Sequence, residues 1–258
     1  MKIQPVGRCI YCGRTDIKLY KEHIIAKSLG GTLMGQDDVL PEASCSACAK
    51  ITSELETHAA HDIFLPLRTI LGLHTDKERP KVFPLQGLRK GKSVPLSVSP
   101  QMHPCHFGLL HYEPPAFLSG QNYKRGINVR GYSVHGPSRT WVEQKLQDLN
   151  IDGFTSTVTF KGTIFERLIA KIGYGFAVKG YGAGMIDNAY VRSTILGHTD
   201  DVGKWVGCMT DEPPPPASKN THEIRIGEDS KGNVHALVRL FANYRTPEYL
   251  VVVGKKPD

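Results

Sequence analysis

The sequence predicts an α+β protein: a small N-terminal β-β-α unit pinned by four cysteines, then a larger α/β region that ends in an antiparallel sheet. Three observations predict it. Two C-x2-C pairs, Cys9/Cys12 and Cys45/Cys48, stand 32 residues apart. Extended stretches and then a helical stretch accompany them. Near the other end, "HEIRIGE", "NVHALVRLFA" and "EYLVVVGK" read as strands, the first two joined by the hairpin turn "DSKGN". The chain divides on this reading into residues 1–75, a basic Pro/Gly-rich connection at 76–138, and a C-terminal α+β domain at 139–258.

The cysteines come first. A C-x2-C knuckle presents two sulfurs from one tight turn, and zinc prefers four thiolates in a tetrahedron. Gly13, directly after the first pair, suits the bend that such a knuckle needs. Cys9, Cys12, Cys45 and Cys48 are therefore expected to hold one structural zinc ion. A closed site of four cysteines does no chemistry of its own, so reactive residues must be sought inside the loop it pins. Cys105 and Cys208 stand alone and read as buried thiols. No signal peptide precedes them, which argues against a disulfide framework.

Within the loop, "IKLYKEHIIAKSLGG" reads as a strand from Ile17 to Tyr20 and a second short strand around His23 to Ile25. "SLGG" and "MGQDD" are turn material. After Cys48, "AKITSELETHAAHDIFLPL" reads as a helix, with Ile51 and Leu55 on one face. Farther along, "RTWVEQKLQDLNI" reads as a helix with Trp141, Leu146 and Leu149 inward, and "STVTF" as a strand. "TIFERLIAKIGYGFAVKGYG" reads as a long helix ending at Gly180 or Gly182. On it Ile164, Leu168, Lys171 and Ile172 fall near one stripe, while Arg167, Lys171 and Lys179 make it basic. His103, Cys105 and His106 invite a second metal reading but lack a matching partner pair.

Cys9, Cys12, "EHIIAKSLGG", Cys45 and Cys48 together resemble the HNH endonucleases, whose ββα-metal finger is stapled by two such knuckles. The match covers residues 9 to about 56. The resemblance implies metal-dependent hydrolysis of DNA phosphodiesters that leaves a 5′-phosphate and a 3′-hydroxyl. It makes His23 the general base, because an imidazole can take a proton from water near neutral pH. It gives Glu22 to a catalytic Mg2+ or Mn2+ that stabilises the phosphate and the leaving oxygen. Neighbours on a strand face opposite ways, so Glu22 and His23 are expected on different sides of the finger.

The sequence also departs from the family. The middle Asn is missing, and where it would fall the chain reads "GQDDVLPE". Asp38 can replace it by holding the His23 ring, or Asp37 and Asp38 only make a turn. Ala49 stands where many members carry a metal ligand. Ser53 and Glu56 share its helical face. Glu56, His58 and His61 are therefore the substitutes that the sequence offers, Glu56 and His58 being carried forward as candidates for the divalent ion.

The net charge of +7 favours polyanionic partners. Between Lys77 and Lys92 six basic residues face one acidic residue. Lys27, Lys81, Arg89, Lys90 and Lys92 are the candidate phosphate contacts on DNA. No apolar run is long enough to span a membrane, and a cytoplasmic location is expected. No phosphate loop or dinucleotide fingerprint is present. The alternatives to an active nuclease are a catalytically decayed nucleic-acid-binding module and a zinc-stabilised interaction domain.

Overall fold

The computed structural model describes residues 3–31, 38–76, 78–120, 125–210, 212–217 and 221–257. Asp37 and Lys77 lie outside these described residues. Among the described residues the chain is a mixed α/β protein with four antiparallel sheets.

Strand β1 (Leu19–His23) pairs with β2 (Val39–Cys45), Leu19 lying opposite Cys45 and His23 opposite Val39. This corrects the expectation of two strands before the loop. There is one strand before it, Ile24 to Ala26 leave the sheet, and the second strand follows the loop. Pro41 hides β2 from a pattern reading, because proline removes a ladder donor and survives only at edges and bulges. The register does slip there, and Glu42 takes a φ of +48°.

Helix α1 (Ser46–His58) starts directly after Cys45, so the second knuckle straddles the strand end and the first helical turn. A π-helical turn follows at Ala59–Ile63, where the Phe64 amide reaches the Ala59 carbonyl at 2.9 Å. Helix α2 (Leu65–Ile70) completes this part. Strands β3 (Phe83–Arg89) and β4 (Lys92–Val98) form a hairpin whose tip residues, Lys90 and Gly91, both have positive φ. Strand β5 (Phe107–Tyr112), the short α3 (Ala116–Ser119) and β6 (Val129–His135) come next, and β5 pairs with β6.

The Ser138 hydroxyl caps α4 (Arg139–Asp148) by accepting from the Trp141 amide. Trp141, Leu146 and Leu149 are only half-buried. Strand β7 (Gly153–Thr155) joins β3, whereas "STVTF" itself carries no strand. After helix α5 (Ile164–Tyr181), closed by Gly182, come α6 (Arg192–Leu196), α7 (Val202–Trp205) and β8 (Val206–Cys208). Strands β9 (His222–Glu228), β10 (Asn233–Leu240) and β11 (Tyr249–Lys255) finish the chain, and the last sheet runs β8-β11-β10-β9.

Helix α5 organises the molecule. One side packs on β10 and β11, and another packs on α1. It is apolar around most of its circumference, as a helix buried on several sides must be. A single buried cluster therefore runs from Cys9, Ile24 and Leu55 through Ile169 and Ile172 to Val238 and Val251. Residues of the N-terminal β-β-α unit and of the C-terminal sheet share one core.

Candidate functional site

The sulfur atoms of Cys9, Cys12, Cys45 and Cys48 all lie within 4.8 Å of one another. Cys12 Sγ and Cys45 Sγ are 3.8 Å apart. A tetrahedral zinc with bonds of about 2.3 Å spaces its sulfurs by roughly that distance, whereas a disulfide needs about 2.05 Å. All the cysteines are free thiols, and only Cys12 of the four reaches the surface. The four sulfurs can hold a metal such as zinc.

Local geometry explains why. Gly13 takes a φ of +77°, closing the first knuckle with its amide on the Cys9 carbonyl at 2.8 Å. The Cys45 amide donates to Cys9 Sγ at 3.4 Å and locks one knuckle to the other. Burial pushes the Cys9 and Cys48 thiols up, while at Cys45 it is outweighed by hydrogen bonds from the Cys48 backbone and the neighbouring thiols. Four sulfurs so placed ionise together only around a cation.

Behind the cluster, Glu22 is 5% exposed and His23 is half-exposed, while Tyr20 and Lys21 are both exposed, so burial along β1 does not alternate across the register slip between Tyr20 and Glu22. Glu22 meets two donors, one from the first knuckle and one from α5. The Tyr11 hydroxyl donates to its Oε1 at 3.0 Å, and the Lys171 ammonium lies 2.9 Å from the same oxygen. Lys171 also lies 2.8 Å from Glu56 Oε1 and donates to the carbonyls of His23 and Ile24. Burial alone would lower the pKa of Lys171, but Glu22 and Glu56 hold it above the usual lysine value. Its side chain is 0% exposed.

The remaining nominated residues go elsewhere. The Asp38 carboxylate pairs with Lys179 of α5, while its backbone carbonyl accepts from the Ile24 amide at 2.9 Å. His58 turns to Asp62 across the π-helical turn, Nδ1 to Oδ2 at 2.5 Å, and Lys161 lies 2.7 Å from the same carboxylate oxygen. Among the described residues the four cysteines are the only group placed to share a metal ion. Glu22, Glu56 and His58 do not form a second group, because the Lys171 ammonium occupies the point where Glu22 and Glu56 meet and His58 turns to Asp62. His103, Cys105 and His106 do not form one either. They line a cleft of about 350 Å3, with the His103 ring turned to the Cys105 carbonyl.

Of the candidate phosphate contacts, Lys81, Arg89, Lys90 and Lys92 are exposed before and along the β3–β4 hairpin, and Lys27 is half-buried in the turn after β1. Arg89 donates to the carbonyls of Leu149 and Asn150.

Sequence reasoning missed four contributors: Tyr11, Lys171 and Lys179 as carboxylate partners, and Arg68. The buried Arg68 donates to the carbonyls of Ser28, Ala60 and His74, tying α2 to the turn after β1. Gly31 of that turn is dictated by space, since a Cβ there would fall 2.2 Å from the Ile25 carbonyl oxygen, and Gly30 by its φ of +85°. Lys171 did leave a signal: a lysine on an apolar helical stripe must find a buried partner.

Comparison with known proteins returned no matching family model, no matching curated protein and no matching solved structure.

Proposed function

We propose that this chain is a zinc-stapled finger of the HNH type that engages the phosphates of nucleic acid, DNA first, without divalent-metal cleavage. One observation carries this reading: Glu22, Glu56 and Asp38, the carboxylates that the resemblance offers to chemistry, each have a lysine partner from α5. A divalent ion entering between Glu22 and Glu56 would have to displace a fully buried ammonium. Zinc, when bound, offsets half of the charge of the four thiolates and fixes the knuckles. The rest of the finger then positions β1, the turn after it and the face of α1. The net charge of +7 and the exposed basic residues around β3 and β4 support a polyanionic partner.

A second reading keeps the enzyme, with Mg2+ or Mn2+ and His23 as general base. The half-exposed place of His23 at the end of β1 favours it. Two measurements on the full chain separate the readings: duplex binding against salt, and plasmid nicking with Mg2+ or Mn2+ for wild type and His23→Ala. Affinity is expected to fall at least tenfold between about 50 and 200 mM salt, with no nicking by either protein. Metal-dependent nicking that His23→Ala abolishes would establish the enzyme. Salt-independent or absent binding would leave a zinc-stabilised interaction domain.

A further inference from the structure

The resemblance to HNH endonucleases implies a divalent cation on Glu22, and the residues around Glu22 do not leave room for one. Four oxygen atoms close on a single point: Glu22 Oε1 at 2.9 Å, Glu56 Oε1 at 2.8 Å, the Ile24 carbonyl at 3.1 Å, and the His23 carbonyl. Two carboxylates and two backbone carbonyls are what a hard cation such as Ca2+ recruits. The point at their centre is the nitrogen of Lys171.

We infer that this cluster is a cation cage whose resident cation is the Lys171 ammonium, supplied by the chain in place of a divalent ion. This deepens the reading of a finger without metal-dependent cleavage. Its test reads cation binding rather than nucleic acid, so either can fail alone.

The geometry favours this over an incidental ion pair. An ammonium has three protons, and here four acceptors surround it, so the site is richer in oxygen than a lysine requires. Two of the acceptors are main-chain carbonyls of consecutive residues, His23 and Ile24, at the point where β1 leaves the sheet. Tyr11 adds a neutral donor to Glu22 and leaves the charge of the cage unchanged. Lysine nitrogen–oxygen contacts near 2.8 Å are a few tenths of an ångström longer than calcium–oxygen bonds of about 2.4 Å. Small side-chain shifts would close the cage on Ca2+, whereas Mg2+, at about 2.0–2.1 Å with strict octahedral demands, fits it worse.

The experiment removes the internal cation and offers an external one. Wild type, Lys171→Ala and Lys171→Met are purified with zinc retained. Each is melted with and without millimolar Ca2+, and Tb3+, a Ca2+ analogue, is titrated while its luminescence is excited through tyrosine. Tyr11 touches the cage and serves as antenna. Wild type should show no Ca2+-dependent rise in Tm and no Tyr-sensitised Tb3+ emission. Lys171→Ala should melt lower, regain several degrees with Ca2+, and show saturable Tb3+ emission that Ca2+ displaces and Glu22→Gln removes. Lys171→Met, which keeps the side-chain stem and places a methyl group against the oxygens, should melt lower without a Ca2+ response. If Lys171→Ala folds only with Ca2+, the inference stands. It is overturned if wild type binds Ca2+ or Tb3+ at this site. It is also overturned if Lys171→Ala gains no cation response, or fails to fold with Ca2+ present while Lys171→Met folds.

Discussion

Two clusters in the β-β-α unit demand positive charge, and they draw it from different places. The four sulfurs converge on a point that can hold a metal ion such as zinc, taken up from solution. The carboxylates of Glu22 and Glu56 converge on a point that Lys171 fills. The first cluster is local: its members lie on one loop and its two ends. The second is assembled across the chain, since Lys171 lies 115 residues from Glu56. A finger that receives both cations from solution can fold by itself. A finger that receives one of them from α5 is bound to the rest of the protein.

The largest test of this contrast removes a sulfur. Cys48→Ala should reduce bound zinc from about one ion per chain to none and should cost most of the roughly 10 kcal/mol or more that structural zinc contributes. Elemental analysis and a thermal melt read the result. Retention of both zinc and Tm would show that the cluster is not a metal site.

A smaller test concerns a buried carboxylate held by a tyrosine hydroxyl. Glu166 is 2% exposed, and the Tyr112 hydroxyl donates to it. Burial raises its pKa against the opposing pull of that hydrogen bond. The sign follows from linkage: a carboxyl whose folded pKa is raised makes its full contribution below the unfolded value of 4.5 and loses it as pH rises through the folded value. Glu166→Gln should therefore be near neutral in effect at pH 4 and stabilising at pH 8, as read by urea unfolding at both. Equal effects at the two values would show that Glu166 does not titrate abnormally.

The smallest effect belongs to the third pair. Lys179 keeps 29% of its side chain in water where it meets Asp38, and such partly solvated pairs contribute about 0–1 kcal/mol. Lys179→Met should shift the unfolding midpoint little. A loss like that expected for Lys171→Ala would place Asp38 in the same class as Glu22.

Much of this was legible from residue order. The paired cysteines gave the frame, spacing placed the helix after Cys48, and Gly180 or Gly182 bracketed the end of α5, which Gly182 closes. Alternation and "DSKGN" gave the β9–β10 hairpin. Strand β2 stayed hidden because Pro41 and a bulge break its period. The β3–β4 and β5–β6 ladders were obscured by their proline and glycine content. The partnership of Lys171 with Glu22 and Glu56 was out of reach for another reason. Periodicity reports which face of a helix is buried, and it carries no information about which distant residue waits there. The signs of charge were readable one residue at a time, but their pairing is a property of the tertiary fold.

The reach of α5 into the N-terminal β-β-α unit also sets an order on synthesis. When the ribosome has made α1, Glu22 and Glu56 already exist as like charges on neighbouring elements, and their partner is still more than a hundred codons away. Until Lys171 emerges, the nascent finger must keep both carboxylates hydrated and leave Ile24 and Ile10 without the helix that covers them. Completion of the N-terminal unit is thus deferred to a late moment in translation, and a chain truncated before residue 171 would release a finger with an open, acidic flank.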